Sequence, residues 1–225
     1  MIPIGYTREG ARIVTLAVDL LLGTTADQSK GRQAADLRRA CGDLKASAEA
    51  YIVENVVAAK LSHCFDLART AGATLGEFHY IRRTIQAEQT ASLVATMLKN
   101  TTINFSLQQM SLVVITIVFT NRDDVETVRG ELNVAFKDAE EAAADDMAQE
   151  VYFALASLHA AVMFHLYETA RPLPQMLRYQ FGSPKPTLVL SHRLYDTAAR
   201  ADQLREENKV VHPAFAPREG RALAF

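Results

Sequence analysis

The sequence has no tryptophan, only two cysteines and, before residue 172, a single proline. Two cysteines in 225 residues cannot form the framework of a disulfide-stabilised secreted domain, which excludes that class. Cys41 and Cys64 lie in a region with helical periodicity, and one straight helix would hold them far apart. We therefore expect two buried free thiols. The most apolar run, 112–119, is much shorter than the ~20 residues that cross a bilayer, so no membrane span is expected.

A strongly basic segment is also missing. The formal net charge is −2, and residues 101–184 carry 5 basic and 11 acidic side chains, whereas residues 185–225 carry 7 and 5. Binding to a phosphate backbone draws its affinity from many Lys and Arg contacts. The composition therefore gives no support to general nucleic-acid binding.

Catalytic motifs are missing as well. His159 and His165 are six residues apart on one predicted helix, roughly 240° apart around its axis, so they cannot share a metal ion from that helix alone. The sequence contains no GxSxG, no GxxxxGK[ST] and no HExxH, and no glycine-rich phosphate loop. We therefore expect no enzymatic activity, no metal site and no cofactor.

Most of the chain has the periodicity and composition of α-helices. The predicted helices are 11–22, 34–70, 74–99, 106–119, one that begins at Thr120, and 147–170. Capping-box spacing at Thr74–Glu77 and at Ser106–Gln109 marks two of the starts. The Val- and Ile-rich run within 106–119 has strand propensity, but its cap and its neighbours favour a buried helix. Because apolar residues surround that helix, we expect the protein to associate with itself or with a partner.

The character of the sequence changes at Pro172, after which prolines are frequent. The predicted elements there are a strand at 176–181, a helix from Thr187, a helix at 198–208 and a strand at 221–225. We place a domain boundary near 172–176. The predicted fold is mainly α, with a helical bundle-like domain over 1–172 followed by a small βααβ module over 176–225.

The C-terminal string TLVLSHRLYDTAARADQLREENKVVHPAFAP resembles the end of the Mu-type phage DNA circularization protein family, a set of tail and baseplate proteins. The residues that match in fixed spacing are Leu188, His192, Arg193, Leu194, Tyr195, Asp196, Ala199, Arg200, Ala201, Asp202, Asn208, His212, Pro213, Phe215 and Pro217. The glycine expected after Tyr195 is missing, since Asp196 follows directly, and Ala214 stands where the family has glycine. The resemblance covers about 120–225, and it is weaker upstream of the string.

The same region is similar to LysM-like modules of phages. In such a module we expect Asn208 to cap the second helix in left-handed geometry. We also expect a small core formed by Leu188, Leu194, Tyr195, Leu204 and Phe215. Polar residues of the string are not needed for this core. The candidate docking residues are therefore His192, Arg193, Arg200, Asp202, His212 and Pro213. Alternatively, Arg193 and Arg200 merely brace the loop 209–217.

The resemblance implies a structural role as a baseplate or hub adaptor in a phage tail. It implies that the protein assembles in the host cytoplasm and is part of the tail baseplate of the virion. Other tail proteins are the expected partners, and contact with DNA is expected only in the tail lumen. Tail assemblies are symmetric rings, so a homo-oligomeric ring of three or six copies is expected. Two alternatives stay open: a peptidoglycan-binding LysM-type module on a helical stalk, and a DNA-end-binding protein.

Overall fold

A computed structural model describes residues 4–24, 26 and 31–224. These residues form ten helices and one two-stranded antiparallel sheet, which confirms a mainly α fold. The elements are α1 (Ile4–Leu22), α2 (Arg32–Ala46), α3 (Ala48–Val53), α4 (Val57–Thr70), α5 (Leu75–Ala87), α6 (Leu93–Val114), α7 (Arg122–Asp145), α8 (Gln149–Ala170), β1 (Met176–Gln180), α9 (Thr187–Tyr195), α10 (Ala201–Glu207) and β2 (Glu219–Leu223). None of the described helices has the length and apolar character that crossing a membrane requires.

The chain divides into two compact units. The first unit comprises the residues up to Ile117 together with Leu132–Val162, and the second comprises Val118–Glu131 together with the residues from Met163 onward. The second unit thus contains the predicted module 176–225 and the adjoining ends of α7 and α8. The predicted boundary near 172–176 stays a prediction.

Helix α1 lies at the centre of the first unit, where it packs against α2, α3 and α6. Its side chains Ile13, Val14 and Leu21 are fully buried. At Gly10 a Cβ atom would come within 3.0 Å of Leu98 and 3.2 Å of Ile52. Glycine at this position therefore lets α1 pass close to α3 and α6.

The prediction of one helix over 34–70 is wrong, because the segment forms α2, α3 and α4. Asn55 has a left-handed backbone, with φ of 57°, and it lies in the break between α3 and α4. Asparagine adopts this conformation more readily than most residues, and the β-branched Val53, Val56 and Val57 around it favour helix only weakly. The end of the segment is as predicted, with Gly72 in positive φ just after α4.

The break explains how the two cysteines meet. It lets α2 and α4 pack against each other, and both Cys41 and Cys64 are buried free thiols, as expected. A hydrogen bond between Cys41 and Cys64 lowers the pKa of the Cys64 thiol, against the opposing effect of burial. Separation along the sequence therefore gave the wrong picture of their distance in space.

The two capping-box predictions have opposite outcomes. At Thr74 the prediction is confirmed, since the Thr74 side chain accepts a hydrogen bond from the Glu77 backbone and Glu77 accepts one from Thr74. At Ser106 it is wrong, because Ser106 is buried inside α6, where its hydroxyl donates to the Thr102 carbonyl at 2.9 Å. Helix α6 instead begins after Ser92, whose hydroxyl accepts from the Ala95 N–H.

The predicted ends of these helices also differ from their ends in the structure. The helix predicted over 74–99 ends at Ala87, and the one predicted over 106–119 ends at Val114. Ile115 and Val118 lie beyond the helix and are exposed, so the expectation of an enclosed apolar helix does not hold for them. Helix 147–170 is confirmed as α8. Leu155, Val162, Leu166 and Ala170 of its predicted apolar face are buried, whereas Val151 of the same predicted face is exposed.

Glu9 joins α1 to the start of α6 through its carboxylate. It accepts hydrogen bonds from the backbone N–H groups of Ala91 at 2.6 Å and Ser92 at 2.9 Å, and these bonds hold its pKa below the ordinary value of 4.5. A carboxylate whose pKa is lowered by folding stabilises the protein above its unfolded pKa, and this contribution is lost as the pH falls through the folded pKa.

We therefore expect wild type to melt at a higher temperature than Glu9→Gln at pH 6–7. The difference should disappear as the pH falls below about 4.5. Thermal melts of both proteins across pH 3–7 measure it. A constant difference over this range would show that the carboxylate charge is not what stabilises the contact.

Candidate functional site

The region that carries the family-like string is closed by the two strands of the sheet. Strands β1 and β2 pair antiparallel, with Met176 opposite Leu223 and Gln180 opposite Glu219. A small apolar core lies beside the sheet. Its buried members are Tyr179, Leu190, Tyr195, Leu204, Ala216 and Ala222, and Phe181, Leu194 and Val210 pack against it.

The structure places the five predicted core residues in different environments. Tyr195 and Leu204 are buried, and Leu194 is half-buried against them. The prediction needs correction for Leu188 and Phe215, which are 59% and 73% exposed.

The neighbours of these two residues fill the core instead. Leu190 lies two positions beyond Leu188 on α9, so the two side chains point to different sides of the helix. Ala216 follows Phe215 and forms a bridge with Lys185, in which its N–H donates to the Lys185 carbonyl at 3.0 Å. Adjacent residues of extended backbone point to opposite sides, so burial of Ala216 leaves Phe215 outside.

Asn208 joins α10 to β2 and is the C-cap of the helix, as expected, but not in the expected left-handed geometry. Its backbone φ is −99°, and the following residue, Lys209, adopts the left-handed conformation. The Asn208 side chain accepts from the Arg221 N–H at 2.7 Å and donates to the carbonyls of Arg221 and Leu204 at 2.8 and 2.9 Å. The asparagine therefore completes the backbone pairing of β2 on its open edge.

Asp196 ends α9 directly after Tyr195. It has φ of 54°, and its N–H donates to the His192 carbonyl. Aspartate tolerates the left-handed conformation better than most residues with a side chain. Asp196 thus adopts a backbone conformation for which glycine is usually selected.

The charged candidate residues have distinct surroundings. The Arg200 guanidinium lies over the Tyr195 ring, 4.7 Å from its centroid, and Asp202 forms an ion pair with Arg205 at 3.7 Å. His192 and Arg193 are exposed on α9. Arg200 therefore covers the core, whereas His192 and Arg193 leave their polar groups available at the surface.

The loop between α10 and β2 is held against the start of α9. The Thr187 N–H donates to the Pro213 carbonyl at 2.7 Å, and the His212 ring lies against the Phe215 ring with centroids 5.5 Å apart. Leu188 is thereby brought next to this loop. The exposed large apolar side chains in this part of the module include Leu188, Val211 at 98% and Phe215.

We call Leu188, Val211 and Phe215 the C-terminal apolar patch. Single exposed apolar residues are ordinary on protein surfaces, whereas contiguous apolar patches are typical of interaction sites. Sequence reasoning missed the patch because it assigned two of its members to the core.

The second unit also contains a cavity of about 490 Å³. Its lining residues are Thr120, Pro172, Leu173, Pro174, Arg200, Gln203, Leu223 and Ala224. Strand β1 is fixed to the start of α7 beside it, since the Met176 N–H donates to the Asp123 carboxylate at 2.6 Å and the Arg122 N–H donates to the Pro174 carbonyl. The cavity therefore lies where the start of α7 and the segment 172–174 meet the module.

His159 has the most elaborate polar environment among the histidines of the described chain. Its Nδ1 lies 2.8 Å from the Glu140 carboxylate, its Nε2 lies 3.2 Å from the Asn133 amide oxygen, and its ring stacks on Phe136 at 4.9 Å. These contacts give each ring nitrogen a polar neighbour and join α7 to α8. The geometry explains the histidine as a structural link between two helices.

Among the described residues, no group of three or more His, Cys, Asp or Glu side chains is arranged to hold a metal ion. In comparisons with models of known families and with curated proteins, the chain has no match.

Proposed function

We propose that the chain is a structural component of a phage tail, a baseplate or hub adaptor that docks between tail-tube or hub proteins during assembly. The observation that carries the proposal is the C-terminal apolar patch. Leu188 and Phe215 belong to the family-like string, yet they do not serve the core of their own module. Exposed apolar side chains of this size gain stability when a partner covers them.

We also propose that residues 176–224 form a LysM-like module. The observed order of strand, helix, helix and strand supports this, as does the pairing of the first strand with the last. In this proposal the module is a docking element, with His192, Arg193 and His212 as polar neighbours of the patch. The copies are arranged in a ring of three or six around the tail axis in the virion.

A charge placed in the patch tests the proposal. Phe215→Asp should leave the melting temperature of the purified chain nearly unchanged, because the side chain is exposed. Tail assembly should fail, since a carboxylate buried at an interface without a partner is costly. Tails from cells that express either protein are counted by electron microscopy. Tyr80→Asp, at another exposed aromatic residue, serves as the matched control and should assemble normally.

Two further measurements distinguish the alternatives. Binding of the purified chain to peptidoglycan sacculi, lost in Phe215→Asp, would replace the docking role by cell-wall recognition. A DNA mobility shift with a steep dependence on salt would instead favour the DNA-end-binding role. Normal assembly with Phe215→Asp would remove the patch as the docking surface.

A further inference from the structure

The two cysteines of the chain meet inside the first compact unit. Cys41 lies on the buried face of α2 and Cys64 on the buried face of α4, and these two helices pack against each other. A hydrogen bond joins the two thiols. The two sulfur atoms are therefore neighbours in the core, although both thiols are free.

A polar cluster beside the cysteines gives independent evidence for this contact. The Lys60 ammonium donates to the Asp43 carboxylate at 3.3 Å and lies 4.9 Å from the centroid of the Tyr51 ring. The Tyr51 hydroxyl donates to the same carboxylate at 3.0 Å. Asp43 comes two residues after Cys41, and Lys60 comes one turn before Cys64. The bond between Asp43 and Lys60 thus holds α2 and α4 together close to the cysteines.

Packed helices have the spacing that a disulfide bond needs. Their axes lie about 8–10 Å apart and each Cα atom lies about 2.3 Å from its own axis, so directly opposite Cα atoms are roughly 3.5–5.5 Å apart and offset ones are farther apart. A disulfide joins Cα atoms that are about 4.4–6.8 Å apart. Two cysteines that meet across a helix contact can therefore be bridged without rearrangement of the backbone.

We propose that Cys41 and Cys64 form an intramolecular disulfide when the folded chain meets a two-electron oxidant such as hydrogen peroxide. Thiols stay reduced in the cytosol, whereas disulfides persist in oxidising surroundings. The chain therefore carries a free dithiol in a reducing compartment and a covalent link between α2 and α4 outside it. The inference does not depend on the proposed tail function, because it concerns only these two side chains and the oxidant.

Cys64 is the thiol that reacts first. The hydrogen bond with Cys41 holds the pKa of the Cys64 thiol below its ordinary value, and the thiolate is the reactive form of cysteine. Hydrogen peroxide is little larger than water, so a small local opening of the helix contact admits it.

The reaction has two steps. The Cys64 thiolate attacks one oxygen atom of the peroxide, which gives a sulfenic acid and a hydroxide ion that takes up the proton lost by Cys64. The Cys41 sulfur then attacks the Cys64 sulfur, and the sulfenic oxygen leaves with the Cys41 proton as water. Two thiols and one peroxide thus give one disulfide and two water molecules, and the two electrons lost by the sulfur atoms reduce the peroxide.

The disulfide would close the segment in which the helical structure is interrupted. Asn55 has a left-handed backbone between α3 and α4, and the neighbouring Val53 and Val56 are exposed. Cross-linking two residues on either side of such a segment removes conformations from the unfolded chain. Oxidation should therefore stabilise the first unit.

Mass spectrometry of the full chain tests the bond. The chain is treated with hydrogen peroxide at low concentration and without denaturant, remaining thiols are blocked with N-ethylmaleimide, and the product is digested with trypsin. Wild type should lose the mass of two hydrogen atoms, keep the mass of one chain, and yield the peptide Ala40–Lys45 linked to the peptide Leu61–Arg69. Recovery of two blocked thiols, or a link only between different chains, overturns the proposal.

Two variants test the order of the steps. Cys41→Ala keeps the thiol that reacts first but lacks the one that completes the bond, so its sulfenic acid should accumulate and be trapped by dimedone. Cys64→Ala should give much less trapped product, because the more acidic thiol is absent. Circular dichroism checks that both variants fold. Equal trapping in wild type and Cys41→Ala would show that the two thiols do not meet, and this outcome would overturn the proposal without reference to stability.

Thermal melts of the oxidised and reduced chain measure the consequence. Closing a loop of this length should raise the melting temperature by roughly 5–10 °C for a chain of this size. Dithiothreitol should abolish the rise, and peroxide should produce no rise in Cys41→Ala. Equal melting temperatures of the cross-linked and reduced chains would overturn the stabilising role of the bond.

Discussion

Replacing Leu204 with alanine should unfold the C-terminal module. Leu204 is 2% exposed and lies among Tyr179, Leu190 and Tyr195 in a core of only a few side chains. Deleting a buried leucine side chain costs about 2–5 kcal/mol, because apolar contacts are lost and a cavity remains. Small domains have little stability to spare. We expect amide hydrogens of β1, α9 and β2 to exchange rapidly in this variant, measured by hydrogen–deuterium exchange with mass spectrometry.

Leu188→Ala is the matched control for that experiment. It removes the same atoms from a leucine that is 59% exposed in the same module, and it should change the free energy of unfolding by less than about 1 kcal/mol. Equal destabilisation by both substitutions would mean that Leu188 packs in the core, as the sequence alone suggested. Protection that survives in Leu204→Ala would contradict the assignment of this residue to the core.

The second large effect is expected at Gly220 in β2. A Cβ atom there would lie 2.6 Å from the Tyr179 hydroxyl and still closer to the Asn208 amide oxygen. Gly220→Ala must therefore displace both side chains and break the hydrogen bonds of Asn208 to Arg221. Overpacking alone costs about 1–3 kcal/mol, and each hydrogen bond that is lost adds about 0.5–1.5 kcal/mol. Chemical denaturation of wild type and variant, followed by circular dichroism, measures the loss.

Gly182→Ala provides the comparison in the same module. An added Cβ atom at Gly182 meets nothing within 4 Å, so this variant should be about as stable as wild type. If Gly220→Ala were equally harmless, the close approach of Asn208 and Tyr179 to β2 would not be needed for stability.

The features that sequence analysis predicted correctly depend on neighbouring residues. The capping box at Thr74 consists of two residues three apart that bond to each other's backbone, so the pattern contains the whole interaction. The same spacing at Ser106 misled because a serine inside a helix can donate to the carbonyl four residues earlier. Spacing alone does not distinguish a hydroxyl that caps the start of a helix from one inside a helix. Ser106 belongs to the second kind, because α6 continues on both sides of it.

The features that the sequence did not predict depend on contacts between distant segments. The sequence indicated that α9 and the loop 209–217 contribute apolar residues to a small core, but the choice between adjacent candidates depends on which way the backbone turns. The bond from Thr187 to Pro213 and the bridge of Ala216 with Lys185 fix that direction. These bonds join residues more than 25 positions apart, so no local pattern contains them, and the C-terminal apolar patch became visible only in the structure.

The register of the sheet brings the two ends of the C-terminal module together. Met176 lies opposite Leu223, and the Ala224 N–H donates to the Gln175 carbonyl at 2.7 Å, so the chain enters and leaves the module at one point. A folded unit whose two ends are neighbours can be inserted into a surface loop of another protein without stretching either connection. If this region is grafted into another protein, the C-terminal apolar patch is transferred with it.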